Sequence, residues 1–95
     1  MSTALWIAHV DVKDAEAYGR YAALATEAIA KHGGVFLARA SRYIQKEGAD
    51  RPRNVVARFP SLEAADACYE SAEYQEALRH ARGAAVRELV IVEEQ

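Results

Sequence analysis

The chain has one cysteine, two prolines and few aromatic residues, 8% of its 95 positions. A single cysteine, Cys68, excludes an intrachain disulfide and any multi-cysteine metal site. No run of residues approaches the roughly 18 apolar positions of a membrane span. The N-terminal strip from Ala4 to Val12 is interrupted by His9 and Asp11, unlike the continuous apolar core of a signal peptide. A soluble, cytoplasmic protein is the expectation. No excess of either charge is present: 12 basic residues stand against 14 acidic, net −2. That balance argues against a dedicated nucleic-acid or membrane partner. Large side chains are also scarcer than the 52% apolar content suggests, because alanine supplies 21 of those residues. A chain of this length buries only about two-thirds of its unfolded surface. A core thin in bulky groups is marginal alone, which favours an oligomer.

Patterning predicts one domain over 1–95 with the order β-α-β-β-α-β. Ala4–Val12 is short and rich in β-branched and aromatic residues, so it reads as a strand with Trp6, Ala8, Val10 and Val12 on one face and Leu5, Ile7, His9 and Asp11 on the other. Asp14 is a helix N-cap with Glu16 in the first turn. Tyr18, Tyr21, Ala22, Ala25, Ile29 and His32 then form a stripe at helical spacing, and Gly33-Gly34 ends the helix. A second strand is expected over 35–46, a turn over 47–52 and a third strand over 53–59. Ser61 caps a helix from Leu62 to about Glu70, and Ser71 a second short one from Ala72 to Arg82. A fourth strand covers 86–93. With right-handed crossovers this order gives a ferredoxin-like α+β fold, an antiparallel sheet with its helices on one face. The other face would carry Val35, Leu37, Val56, Val90 and Val92. An apolar sheet face without helices needs cover, and a second copy packed sheet to sheet gives a C2 homodimer.

Several blocks carry a family resemblance: Trp6-Ile7-Ala8-His9-Val10-Asp11-Val12, Gly33-Gly34-Val35-Phe36-Leu37-Ala38-Arg39, Phe59-Pro60-Ser61-Leu62-Glu63-Ala64-Ala65, Tyr69-Glu70-Ser71-Ala72-Glu73-Tyr74-Gln75 and Glu88-Leu89-Val90-Ile91-Val92-Glu93. In this order they resemble the family catalogued as domain of unknown function 1330, over nearly the whole chain. The resemblance implies a dimeric α/β barrel, in which two ferredoxin-like sheets pack together. It implies no particular activity, since the wider group includes cofactor-free monooxygenases, lactone isomerases, haem enzymes and ligand sensors. Two positions depart from the family pattern. Cys68 replaces the aromatic residue that commonly precedes Tyr69, and Arg58 replaces a glutamate before the Phe-Pro-Ser block.

Strand parity places His9, Arg39, Asn54 and Arg58 on the helix-free face. Together they would line a small-molecule pocket with apolar walls and convergent donors. His9 would transfer protons near neutral pH and Arg39 would stabilise an anion. Asn54, Arg58 and Tyr69 would contact substrate, a small organic anion suited to guanidinium groups. The competing account pairs the arginines with carboxylates such as Glu88 or Asp11 and makes His9 a hydrogen-bonded core histidine. The tyrosines and Cys68 read more simply as packing. His9, His32 and His80 fall on separate elements, and nothing calls for a metal or cofactor. Between Arg39 and Arg58, six basic residues against two acidic give net +4, either a steering field for an anion or solvated strand edges. Three functions follow as expectations: a cofactor-independent enzyme on a small organic substrate, a metabolite-binding module, or a structural dimer without a pocket.

Overall fold

The computed structural model describes residues 2–95. Four strands, β1 (Ala4–Val12), β2 (Val35–Arg39), β3 (Arg53–Phe59) and β4 (Ala85–Glu93), form one sheet in the order β2-β3-β1-β4. Every neighbouring pair is antiparallel. Helix α1 (Ala15–Lys31) connects β1 to β2, and the pair α2 (Leu62–Glu70) and α3 (Ala72–Ala81) connects β3 to β4. This is the ferredoxin-like α+β arrangement.

The helices start where polar side chains satisfy free backbone N–H groups. Asp14 accepts from Ala17, Ser61 from Ala64 and Ser71 from Tyr74, at 3.1, 3.0 and 3.1 Å. Ser71 does double duty, since its hydroxyl also donates to the Cys68 carbonyl at 2.7 Å and so separates α2 from α3. At the other end of α1, Gly33 turns with φ 84°. A Cβ on the adjacent Gly34 would lie 2.8 Å from the Phe59 ring, so only glycine lets the chain pass there.

The core lies between the sheet and the helices. Trp6 is its centre: it stacks on Phe59 at 5.5 Å and meets Tyr74 edge-on at 5.0 Å. From α1 the buried side chains are Tyr18, Tyr21, Ala25, Ala28 and Ile29. Alanines in both helical regions let the helices approach one another, which is why so few bulky residues suffice. Cys68 is buried at the same layer and directs its thiol toward the Ala28 carbonyl, 3.7 Å away. The filler reading of this residue describes its surroundings, and burial pushes its thiol up from the ordinary 9.0 to about 11.

Two features of the second strand differ from expectation. It ends at Arg39 and not near 46, because β2 is an edge strand and Ala40 takes the left-handed conformation, φ 52°. Residues 40–52 then form an irregular loop. A β-bulge also interrupts the ladder: Phe36 pairs with Ala57, but Ala38 pairs with Val56, leaving Leu37 as the extra residue. The extra residue inverts the facing of everything after it. Arg39 therefore pairs with Val55 and turns to the helix side, away from Val35 and Leu37.

The helix-free face is as apolar as parity indicates. Val35, Leu37, Val86, Val90 and Val92 are all exposed on the single chain. Across its middle run Val56, Ile7 and Val90 in one row.

Candidate functional site

The expected site residues divide between the two faces of the sheet. On the helix-free face His9 Nδ1 lies 2.6 Å from Asn54 Oδ1. The Asn54 amide donates to the Arg51 carbonyl at 3.2 Å, and Arg51 Nε donates to Glu88 at 3.1 Å. Glu88 is the register partner of His9 on the other side, so these groups form a polar island on an apolar surface. Arg58 shares the face but is engaged elsewhere. Its Nε and Nη2 grip the Glu94 carboxylate at 2.7 and 3.1 Å, and Thr3 donates to the same carboxylate. Hydrogen bonds from Arg58 and then Thr3 hold the Glu94 carboxyl below the usual carboxylate range. The carboxylate partner of Arg58 is thus Glu94, and Glu88 belongs to Arg51. The open hollow beside Arg58, bounded by Val35, Leu37 and Pro60, is a surface feature.

Tyr69 belongs to neither group. It sits half-buried on α2, 6.0 Å from the Trp6 ring and 5.2 Å from that of Tyr74, beside Leu89 and Ile91.

The enclosed space is on the helix side, between α1 and the sheet, with a volume of about 30 Å³. That is room for a water molecule or two. Its walls are Trp6, Tyr18, Tyr21, Ala22, Ala25, Ile29, Phe36 and Val55, together with Thr26 and the arginines Arg39, Arg53 and Arg87. Each guanidinium lies over an aromatic ring: Arg39 at 4.4 Å from Phe36, Arg53 at 5.4 Å from Tyr18 and Arg87 at 4.7 Å from Tyr21. Arg39 is exposed at the rim, where its Nη2 donates to Thr26 Oγ1 on α1 at 2.5 Å. Arg87 is deeper and donates from Nη2 to the hydroxyls of Tyr21 and Tyr74 at 2.8 and 3.1 Å. Among the described residues none of the three arginines forms an ion pair. The Nε atoms of Arg53 and Arg87 are buried with no hydrogen-bond partner among the described residues.

Electrostatics fix the protonation states here. Burial works against the Arg87 charge, but the oxygens of Tyr21 and Tyr74 outweigh it and its pKa moves up. Burial, followed by the neighbouring Tyr74, raises the Tyr21 phenol. Arg87 thus stays charged beside the neutral phenols of Tyr21 and Tyr74, and no acidic residue lines the cavity.

His9 and Arg39, expected in one pocket, lie on opposite faces. Of the five expected site residues only Arg39 lines the cavity, while Arg53, Arg87, Tyr21 and Thr26 were not among them. A sequence signal for two of these existed. Arg53 is in register with the inward row Val55, Ala57 and Phe59, and Arg87 with Leu89 and Ile91. An arginine in an inward row with no acid opposite brings a half-buried charge to the interior without a partner.

A ferredoxin-like domain with a cationic hollow behind its sheet defines the class of protein. Residues 3–95 match the family described as domain of unknown function (DUF1330), and the chain belongs to it. No curated protein matches the chain in sequence. Among solved structures it is similar to a protein of unknown function from Rhodopseudomonas palustris, at 20% identity, TM-score 0.77, covering 99% of this chain and 83% of that one. It is similar to SnoaB, a cofactor-independent oxygenase from Streptomyces nogalater, at 10% identity, TM-score 0.71, covering 100% and 95%. A dimeric protein of unknown function with a ferredoxin-like fold from Bacteroides fragilis is similar at 16% identity, TM-score 0.58, covering 97% and 96%. At these identities the likeness is one of fold. Among the described residues no helix is long and apolar enough to cross a membrane.

Proposed function

We propose that the chain is a homodimer whose subunits each bind a small organic anion in the cavity between α1 and the sheet. One observation carries the anion: Arg53 and Arg87 project from the sheet into an apolar interior, have no acidic partner, and leave both Nε donors unused. Both residues are half-buried, but a donor held out of water without a partner is costly, and a ligand would supply the missing acceptor. Guanidinium groups match planar oxyanions such as carboxylates, enolates and phenolates. The aromatic walls favour the carbon skeleton of such a ligand over a bare mineral anion. The volume of about 30 Å³ requires that the ligand be very small or that the rim at Arg39 move.

The cavity contains no carboxylate, imidazole or amine to serve as a base near neutral pH. This chain's contribution would be to hold a substrate in its anionic form. That is the form of an enol or phenol that yields electrons to dioxygen without a cofactor, which fits the likeness to a cofactor-independent oxygenase. His9 and Asn54, on the opposite face, are assigned to the seam between subunits. There they would supply hydrogen bonds, with Arg58 and Tyr69 outside the anion site. The homodimer reading draws support from the apolar face and from the fold neighbour described as dimeric.

The test is a thermal-shift series with formate, acetate, benzoate and salicylate, set against benzyl alcohol and benzylamine. A rise in melting temperature with anions alone, lost in Arg53→Met and Arg87→Met, is expected. Equal responses in the parent and both variants, or none to any anion, would refute the site. Oxygen uptake with the binding anions then separates an oxygenase from a binding module.

A further inference from the structure

Hydrogen-bond accounting on the inner wall of the cavity assigns a direction to the tyrosine pair. The hydroxyls of Tyr21 and Tyr74 are 2.6 Å apart, and each accepts a proton of Arg87 Nη2. A phenol has one proton to donate, so their mutual contact consumes one of the two available. Were Tyr21 the donor, the Tyr74 proton would have no acceptor, because Tyr74 is 0% exposed and its hydroxyl meets only Tyr21 and Arg87. A buried donor left unmade is penalised by its full desolvation cost. With Tyr74 as donor the unmade bond passes to Tyr21, which is 6% exposed. The remaining proton is then on Tyr21, and Tyr21, not Tyr74, lines the cavity.

We infer that the Tyr21 hydroxyl is a hydrogen-bond donor to the anionic oxygen of the bound ligand, oriented by Tyr74 behind it and by Arg87 beside it. The inference rests on the anion site proposed above. It adds a donor from α1 to the unpartnered Nε–H groups of Arg53 and Arg87 on the sheet, all three residues lining the one cavity. A charge-assisted bond from a fixed phenol distinguishes an oxyanion from a halide by direction, since only the oxyanion presents lone pairs at defined angles. Burial raises the Tyr21 pKa, so the group remains a donor and does not become a base across the neutral range. Arg87 donates to both phenol oxygens and holds the pair in place, while the deeper burial of Tyr74 sets the direction. It thereby links the α1 and α3 tyrosines to the sheet.

Formate is the probe, because it is the smallest organic oxyanion and Trp6, which lines the cavity, reports its arrival by fluorescence. Tyr21→Phe should weaken formate binding roughly 10-fold or more, the range for a hydrogen bond to a charged group. Tyr74→Phe keeps the Tyr21 proton and should weaken it far less. In protein labelled with 13C at tyrosine Cζ, formate should move the Tyr21 resonance more than any other. Formate that binds the parent, is lost in Arg53→Met, and binds Tyr21→Phe as tightly as the parent would overturn the role of Tyr21 and leave the anion site standing. So would an unmoved Tyr21 resonance in the parent, a measurement that needs no variant to fold. Formate that fails to bind the parent overturns both.

Discussion

Arg53 and Arg87 stand on either side of Val10 in one row of the sheet, each the register partner of that residue on a neighbouring strand. Strand spacing puts their backbones roughly 10 Å apart. The guanidiniums they carry are like charges, and at a separation of this order in a partly solvated setting they repel by on the order of 1 kcal/mol. Aromatic rings beneath the guanidiniums offset part of this cost, and no carboxylate offsets the rest. The row therefore carries like-charge repulsion that the proposed anion would relieve.

The first prediction is that Arg53→Met stabilises the empty protein while it weakens anion binding. Methionine keeps a long, polarizable side chain against Tyr18 and removes both the repulsion and the unused donor. The gain should be about 1–2 kcal/mol in urea unfolding at neutral pH, a case of stability opposed to function. A loss of similar size would make the arginine a structural group.

A second prediction concerns assembly. Val90 lies opposite Ile7 in the middle row of the helix-free face and is 55% exposed on the single chain. Val90→Asp adds a charge that a lone subunit leaves in water but a sheet-to-sheet dimer must bury twice. Sedimentation should show the parent at twice the chain mass and the variant at the chain mass, with unchanged far-ultraviolet circular dichroism. A parent of one chain's mass would remove the dimer.

How much of this was legible in the sequence follows from how regular each ladder is. In β1 and β3 the inward rows of Trp6, Ala8 and Val10, and of Val55, Ala57 and Phe59, follow strict alternation, so parity alone separates the faces. The caps at Asp14, Ser61 and Ser71 are equally plain, because each need is local. Arg39 is different. Its facing depends on a bulge at Leu37 whose cause is pairing with a strand far along the chain. The short β2 has the same origin, since an edge strand lacks the second neighbour that would hold residues beyond Arg39 extended. For the site the obstacle was one of expectation: arginines at strand ends normally reach water, and only the packed structure shows Arg53 and Arg87 folded over tyrosines.

The third prediction follows from the position of Arg39. Its guanidinium spans the cavity rim, stacked on Phe36 from the sheet and bonded to Thr26 on α1. Arg39→Ala removes that span without disturbing the core beneath. Trp6, the chain's single tryptophan, lies in the cavity wall and is 1% exposed. Its fluorescence should be quenched more steeply by acrylamide in the variant, whereas in Arg58→Ala, on the other face, quenching should match the parent. Equal quenching in all three proteins would place the mouth of the cavity elsewhere.

The last prediction uses Cys68 as a reporter of global unfolding. Its thiol is fully buried, and burial raises its pKa from the ordinary 9.0 to about 11. At pH 8 the folded chain then carries about one thiolate per thousand molecules, with no path for a reagent to reach it. Aromatic disulfide reagents should label Cys68 only at the rate of unfolding, and tight anion binding should slow that labelling in proportion to the stability it confers. The alkaline side has a definite sign. Between pH 9 and 11 the unfolded thiol loses its proton while the folded one keeps it, so stability is intact below pH 9 and falls as pH rises through this interval. Cys68→Ala should flatten that fall relative to the parent. An identical alkaline slope in the two proteins would show that another group governs it, and rapid labelling at pH 8 would show that the α1–α2 contact around Ala28 opens without global unfolding.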